Sequence, residues 1–157
     1  MYKILLCLSI TLGTLTASTI GVGTPLDKLN KFKYETPQGR DMRVSKDIRL
    51  VIIAYEKDTG ELVNSFLDTK NQYYLEKNKA VFIADIHKMP SIIATLFALP
   101  KLKKFKHPIY LHYDEEFSKD LPLKSDKVTL LEIKNGKIKR VNFIATKDEL
   151  QMAIEKH

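Results

Sequence analysis

The sequence contains a single cysteine, Cys7, which lies inside an apolar stretch near the N-terminus. If that stretch is removed from the mature protein, no thiol remains. This absence excludes disulfide bonds as a source of stability, and it excludes catalysis or metal binding by a thiolate. The chain must therefore fold by burying apolar side chains, and a mature domain of about 140 residues is long enough to form a sizeable core.

Glycine is also scarce in the part of the chain that looks globular. Beyond the N-terminal region only Gly39, Gly60 and Gly136 occur, and they are far apart. A glycine-rich loop that could cradle the phosphates of a nucleotide is therefore absent. On these grounds we expect no bound cofactor, and the residues favour a protein that is not an enzyme.

Charge is missing between Lys3 and Asp27. Lys3 is followed by the apolar residues 4–12 and then by small residues, which is typical of a signal sequence for export. We therefore expect residues 1–19 to be a signal, residues 20–29 to be a linker, and the mature protein to be periplasmic. The uncharged stretch is also long enough for an uncleaved anchor in the inner membrane, and that interpretation stays open.

Positive charge exceeds negative charge, with a formal net charge of +7 that comes mostly from lysine. A surplus of lysine is typical of solvated surface, whereas phosphate-binding sites favour arginine. The densest run is a basic patch of four residues, Lys101, Lys103, Lys104 and Lys106. We interpret it as a solvated helix end, with contact to an anionic membrane surface as the alternative. No aromatic platform accompanies these lysines, so we expect no nucleic-acid binding.

Apolar patterns predict the strands of a mixed sheet. Residues 31–35 and 40–44 alternate between polar and apolar types and flank a turn signal, which predicts an N-terminal β-hairpin. Residues 48–55, 80–86 and 108–113 are apolar on both faces. Strands of that kind are covered on both sides, as in a parallel sheet.

Two helices are predicted between these strands. The first begins at a capping box formed by Asp58 and Glu61 and continues to about Asn78. The second has Pro90 in its first turn, and Pro100 should kink it or end it near Ala98 or Leu99, because proline disrupts a helix interior. Its predicted apolar face consists of Ile92, Ile93, Leu96, Phe97 and Leu99.

The strongest local signal is the pair Asn135 and Gly136 between two alternating segments, which predicts a hairpin with a type I′ turn. An unbroken register would place four apolar side chains on one face of this hairpin, namely Val128, Leu130, Val141 and Phe143. A second capping box, Thr146 with Glu149, then predicts a final helix. The order of elements predicts an α/β class, with helices on both faces of a mixed sheet.

The same segments resemble the thioredoxin fold, in the form found in peroxiredoxins and exported cytochrome-maturation thioredoxins. Residues 32–44 resemble the N-terminal hairpin of those proteins, and residues 50–55 resemble the strand that leads into their active-site loop. Residues 129–138 are similar to the closing hairpin of thioredoxins, which typically reads T-L-L-x-F-K-N-G. The resemblance implies a thioredoxin-like domain over residues 30–157.

The resemblance also implies where thiol chemistry would lie, and the chain departs from the family pattern at both places. Glu56, Lys57 and Asp58 occupy the position of the Cys-x-x-Cys motif. Val128 occupies the position of the cis-proline that precedes the closing hairpin. We therefore expect these four residues to lie near one another at a former active-site position that supports no disulfide exchange.

Four polar residues, which we call the strand-end residues, follow the predicted parallel strands: Asp85, His87, His112 and Asp114. Ligands of open α/β sheets bind beyond the carboxyl ends of the strands, so these residues are candidates for ligand binding. Capping and loop roles are the more common explanation for such residues. The alternative function is a periplasmic oxidoreductase that holds a flavin or a metal here, although no metal-ligand motif is present.

The sequence thus favours an exported, redox-inactive thioredoxin-like domain. We expect it to act as a binding or accessory module in the cell envelope. Its expected partner is another envelope protein, with weak contact to an anionic membrane surface as a further expectation.

Overall fold

The structure is a computed structural model and describes residues 19–156, so all but the last residue of the signal predicted at residues 1–19 lies outside the described residues. Its seven strands are β1 (Tyr34–Glu35), β2 (Asp41–Met42), β3 (Leu50–Ala54), β4 (Ala80–Asp85), β5 (Tyr110–His112), β6 (Val128–Lys134) and β7 (Lys137–Ile144). They form one sheet in the order β2-β1-β5-β4-β3-β6-β7. The three central strands are parallel, and the outer pairs are antiparallel.

The helices are α1 (Lys57–Leu67), α2 (Tyr74–Lys77), α3 (Ser91–Ile93), α4 (Leu99–Leu102), α5 (Glu116–Asp120) and α6 (Lys147–Glu155). A 3-10 helix, Leu26–Lys31, precedes the sheet, and a π-helical turn, Ala94–Ala98, joins α3 to α4. The α/β class and the N-terminal hairpin are therefore confirmed. No helix within residues 19–156 is long and apolar enough to cross a membrane.

The sheet separates two apolar cores, because alternate residues of each strand face opposite sides. One core packs α1 and α6 against the even-numbered positions of β3, such as Ile52. The other contains the odd-numbered positions, such as Ile53, together with Phe117 of α5. Every residue of β3 and β4 is buried, as their doubly apolar sequences predicted.

The segment 20–29, which we expected to be a linker, is instead part of the second core. Ile20 is 2% exposed and Leu29 is fully buried. Backbone bonds fix the segment in place, because the Ile20 N–H donates to the Asp120 carbonyl and the Leu26 N–H to that of Gly136. Glycines and short polar residues separate the three buried side chains of this segment. The sequence therefore shows no apolar periodicity there, and it did not predict their burial.

The helix expected to continue to Asn78 is interrupted. α1 ends at Leu67, and the short helix α2 begins only at Tyr74. The chain turns between them with Thr69 and Lys70 N–H groups bonded three residues back, to Phe66 and Leu67. The apolar spacing alone did not reveal this break.

Of the two effects expected of Pro100, a kink or an end near Ala98 or Leu99, the end is wrong. Pro100 occupies the first turn of α4, and the helical path continues to Leu102. The turn directly before it is π-helical. A proline lacks the N–H of a normal helical bond, and a wider π turn accommodates that missing donor.

The closing hairpin has the predicted turn, with positive φ at Asn135 (+53°) and Gly136 (+70°). Its register differs from expectation, because a β-bulge between Glu132 and Ile133 shifts the pairing by one residue. Val128 and Leu130 therefore share the first core with Ile144, whereas Val141 packs on the second core and Phe143 is 38% exposed. A one-residue shift moves side chains to the opposite face.

Candidate functional site

Asp85 and His87 form a hydrogen-bonded pair at the carboxyl end of β4. Asp85 is the last residue of the strand, and its side chain is fully buried. Its Oδ1 atom accepts the His87 backbone N–H at 3.1 Å and lies 2.8 Å from His87 Nδ1. A carboxylate oxygen accepts, so the His87 ring carries a proton on Nδ1. The pair holds the imidazole at the end of the sheet.

His112 lies beside Asp85, because the two residues are register partners on the parallel strands β4 and β5. Register partners project to the same face of a sheet. His112 is 1% exposed, and its Nδ1 atom lies 2.8 Å from the carbonyl oxygen of Lys33. A carbonyl can only accept, so Nδ1 donates, and in the neutral tautomer that this bond selects Nε2 is an acceptor.

Two buried atoms of these neighbours have no hydrogen-bond partner among the described residues, Asp85 Oδ2 and His112 Nε2. We call Asp85 and His112 the acceptor pair. A buried acceptor without a donor costs about 1–3 kcal/mol. The end of the sheet therefore places side by side two groups that would each be stabilised by a donor from a small ligand.

Aromatic rings enclose His112. The Phe117 ring centroid lies 4.8 Å from that of His112, and those of Phe32 and Tyr34 lie at 5.6 and 5.9 Å. The surroundings of the acceptor pair are therefore low in polarity. In such surroundings a hydrogen bond is stronger than in water, and an unpaired polar group is more costly.

Tyr55, which directly follows β3, is electrostatically coupled to Asp85. It is 3% exposed, and its hydroxyl donates to the Pro122 carbonyl at 3.3 Å. Burial raises the pKa of Tyr55, and the charge of Asp85 raises it further. Tyr55 is therefore an O–H donor at neutral pH. The sequence interpretation assigned it only to a buried strand, although its place at the strand end was a usable signal.

A structural contact occupies the position that the resemblance assigns to an active site. Glu56 is the N-cap of α1, and its carboxylate accepts the Asp126 N–H at 3.0 Å. This bond ties the start of α1 to the loop that leads into Val128, the fully buried first residue of β6. Lys57 and Asp58 are exposed in the first turn of α1. No peptide bond is cis within residues 19–156.

The capping box expected at Asp58 and Glu61 is wrong. The helix begins earlier, with Glu56 as N-cap and Thr59 at the third helical position. The Thr59 hydroxyl accepts the Glu56 N–H at 3.2 Å and donates to the Glu56 carbonyl at 2.9 Å. Thr59 is buried, and its short side chain lies within hydrogen-bond distance of both backbone groups.

Asp114 is separated from the other strand-end residues by its environment. It is exposed in the loop after β5, whereas Asp85 and His112 are buried. Within the described part of the chain, no group of three His, Cys, Asp or Glu residues is placed to hold a metal ion. Protein zinc sites need three or four such ligands, so these residues do not form a zinc site.

A cleft of about 610 Å³ lies away from these groups, between the β1–β2 turn, α2 and the loop before β5. Lys106 of the basic patch and His107 contribute to its lining. His107 Nε2 lies 2.9 Å from Asn64 Oδ1. Burial lowers the pKa of His107 to about 4, against the opposing charge of Asp68, so the ring is neutral at pH 7. The strand-end residues do not line this cleft.

The basic patch follows the helical segment for which the sequence predicted an apolar face. Four large apolar side chains, which we call the apolar stripe, are exposed there: Ile92 (66%), Ile93 (42%), Leu96 (61%) and Phe97 (66%). The side that faces the sheet is instead occupied by the buried Ala94 and the partly buried Leu99 and Leu102. Helical spacing predicted that the four share a face but could not show which face the sheet covers.

No protein-family model matches the sequence, and no curated protein gives a significant match. Solved structures do match. A proposed protein disulfide isomerase from Bacteroides thetaiotaomicron has a TM-score of 0.54 at 15% identity, over 87% of each chain. A peroxiredoxin-like protein from Aquifex aeolicus has a TM-score of 0.53 at 10% identity, over 90% of each chain. The bacterioferritin comigratory protein of Xanthomonas campestris has a TM-score of 0.52 at 14% identity, over 90% of this chain and 99% of the other.

Identities this low establish the fold and leave activity to be argued from the site. The sheet order, the helix after β3 and the closing hairpin agree with the resemblance drawn from the sequence. Cys7 remains the single cysteine of the sequence, and it precedes the described residues. The chain has the thioredoxin fold and carries no cysteine within that fold.

Proposed function

We propose that the protein is an exported thioredoxin-fold module that binds a partner in the cell envelope and performs no thiol–disulfide exchange. The observation that carries the proposal is the contact at the start of α1. There a Glu56 carboxylate bonded to the Asp126 N–H takes the position that the resemblance assigns to reactive thiols. A thiolate nucleophile is required for disulfide exchange, and the fold itself contains no cysteine.

The activity test uses the full-length chain and its Cys7→Ser variant. Reduction of insulin disulfides and consumption of alkyl peroxide are measured for both, with dithiothreitol as the electron donor. We expect both proteins to match the protein-free rate. Turnover by either form above that rate contradicts the proposal. Turnover by the full-length chain that is lost in the Cys7→Ser variant would identify Cys7 as the reactive thiol.

A second candidate function is favoured by the acceptor pair. Asp85 Oδ2 and His112 Nε2 are buried and without partners among the described residues, and they belong to register partners on β4 and β5. A carboxylate and a neutral imidazole with free acceptor atoms are suited to remove a proton from a small ligand. Among the described residues no third ligand completes a metal site beside these two, so this candidate is acid–base chemistry carried by Asp85 and His112.

The two candidates differ in what the native protein carries. Protein isolated from its own envelope is examined by native mass spectrometry and absorbance spectroscopy. A bare polypeptide mass supports the binding module, whereas a bound small molecule favours the acceptor pair. In the second case Asp85→Asn and His112→Gln should each remove the bound mass, and Asp114→Asn should retain it because Asp114 is exposed.

A further inference from the structure

The apolar stripe has no partner within the described protein. Ile92, Ile93, Leu96 and Phe97 follow one another at spacings of one and three residues, which places them on one side of the helical segment. The side toward the sheet buries only the small Ala94 fully. Single exposed apolar side chains are ordinary, but a contiguous set of this size marks an interaction surface.

The segment that carries the stripe has charge of one sign only. Residues 86–113 contain no aspartate or glutamate, and they contain five lysines: Lys88 before the stripe and the four residues of the basic patch after it. Lys101 lies 3.6 Å from Glu61 of α1. Ion pairs of Lys103, Lys104 or Lys106 are not found within residues 19–156. Cations therefore flank both ends of an uncharged apolar face.

We propose that this face, the apolar stripe with the basic patch, docks on an anionic lipid bilayer. A helix with bulky apolar side chains on one face and lysines beside it is the pattern of segments that lie in the membrane interface. The apolar side chains would enter the boundary between headgroups and acyl chains. The lysines would remain at the level of the lipid phosphates, as the attraction of polybasic segments to anionic leaflets requires.

Lipid fits this face better than a folded protein does. Protein interfaces carry about one hydrogen bond per 100–200 Å², whereas the exposed side of residues 91–98 offers only the hydroxyls of Ser91 and Thr95. The cleft that Lys106 helps to line is not lined by any of the four stripe residues. A bilayer needs neither a groove nor matched polar groups.

This proposal names the partner of the proposed binding module, and the two can fail separately. Thiol turnover would contradict the first proposal and leave lipid docking intact. Absence of lipid contact at the stripe would contradict the second and leave the thiol-free function intact.

The test uses the absence of tryptophan from the chain. Full-length Phe97→Trp carries a single reporter on the stripe. Full-length Met152→Trp is the matched control, because Met152 on α6 is 65% exposed and Phe97 is 66% exposed. The apolar N-terminal region is the same in both proteins, so a difference between them reports which face of the domain meets lipid.

Vesicles of phosphatidylglycerol mixed with phosphatidylcholine are added to each protein. We expect the tryptophan emission of the Phe97→Trp protein to shift to shorter wavelength and to be quenched by brominated acyl chains, with no change for the Met152→Trp control. Pure phosphatidylcholine vesicles should give a much smaller change. No shift for the Phe97→Trp protein, or equal shifts for both proteins, overturns the proposal. An equal response to neutral and anionic vesicles overturns its electrostatic part. A shift produced only by envelope proteins identifies a protein partner and also overturns it.

A charge series completes the test in the Phe97→Trp background. Each lysine near an anionic surface contributes about a fivefold gain in affinity. Lys103→Gln combined with Lys104→Gln should therefore weaken vesicle binding by about 25-fold. Lys137→Gln combined with Lys139→Gln removes the same charge from exposed positions of β7 and should leave binding nearly unchanged. Equal losses in both double variants would contradict a localised docking face.

Discussion

The packing of the N-terminal segment against the sheet predicts a large effect of Leu29→Ala on stability. The Leu29 side chain packs in the second core and is closed to solvent, at 0% exposure. Its carbonyl also accepts the buried Tyr34 hydroxyl at 2.7 Å. Truncation of a buried leucine to alanine costs about 2–5 kcal/mol, from lost burial and from the cavity that remains.

The expected change in melting temperature follows from the size of the domain. At about 2.1 cal/mol/K per residue, a domain of about 140 residues has an unfolding entropy of about 0.3 kcal/mol/K. A loss of about 3 kcal/mol therefore lowers Tm by about 10 °C. Removal of the hydroxyl alone in Tyr34→Phe should cost about 1 kcal/mol and about 3 °C.

Thermal unfolding followed by circular dichroism, with urea unfolding as a second measure, tests these values. Val22→Ala is the matched control in the same segment, because Val22 is 70% exposed. It should change the free energy of unfolding by less than about 0.5 kcal/mol. If Leu29→Ala melts within about 2 °C of the control, about the shift expected for 0.5 kcal/mol, the segment is not part of the core and the packing described above is wrong.

Two further predictions concern the helix cap and the buried histidine. Glu56→Gln should lower the free energy of unfolding by about 0.5–1 kcal/mol by weakening the charged bond to the Asp126 N–H, whereas Asp58→Asn should change it less. An equal loss in urea unfolding would contradict the assigned cap. His107 has a folded-state pKa of about 4, below its unfolded value of about 6.5. Folding therefore favours the neutral ring, and this contribution to the free energy of unfolding is fully present above pH 6.5. The free energy of unfolding falls by up to about 3 kcal/mol as the pH falls toward 4, because the folded protein must then hold a charged ring. His107→Gln, which can keep a bond to Asn64, should flatten this part of the stability–pH curve, and an unchanged slope would refute the assignment.

Local sequence signals predicted the centre of the fold well. The doubly apolar β3 and β4 and the Asn135–Gly136 turn depend on short-range patterns that burial and turn geometry impose directly. The capping box of Thr146 and Glu149 is confirmed for the same reason, since both bonds form within one helical turn. These features require no knowledge of distant parts of the chain.

The candidate site was only partly predictable. The proximity of Asp85 and His87 follows from their separation of two residues. The position of His112 beside Asp85 depends on β5 lying next to β4, and that order exists only in the assembled sheet. The exposure of Phe97 depends likewise on which side of a helix the sheet covers. Periodicity gives the faces of an element and does not give its rotation about its own axis.

The backbone bonds of the first residues of the domain have a consequence for how the protein is made. Ile20 and Leu26 bond to Asp120 and Gly136, roughly a hundred positions later in the chain. The part of the domain that leaves the ribosome first is therefore among the last to find its partners, because contacts between distant residues must wait for the chain that separates them. Until the closing hairpin has been synthesised, the growing chain cannot complete its second core.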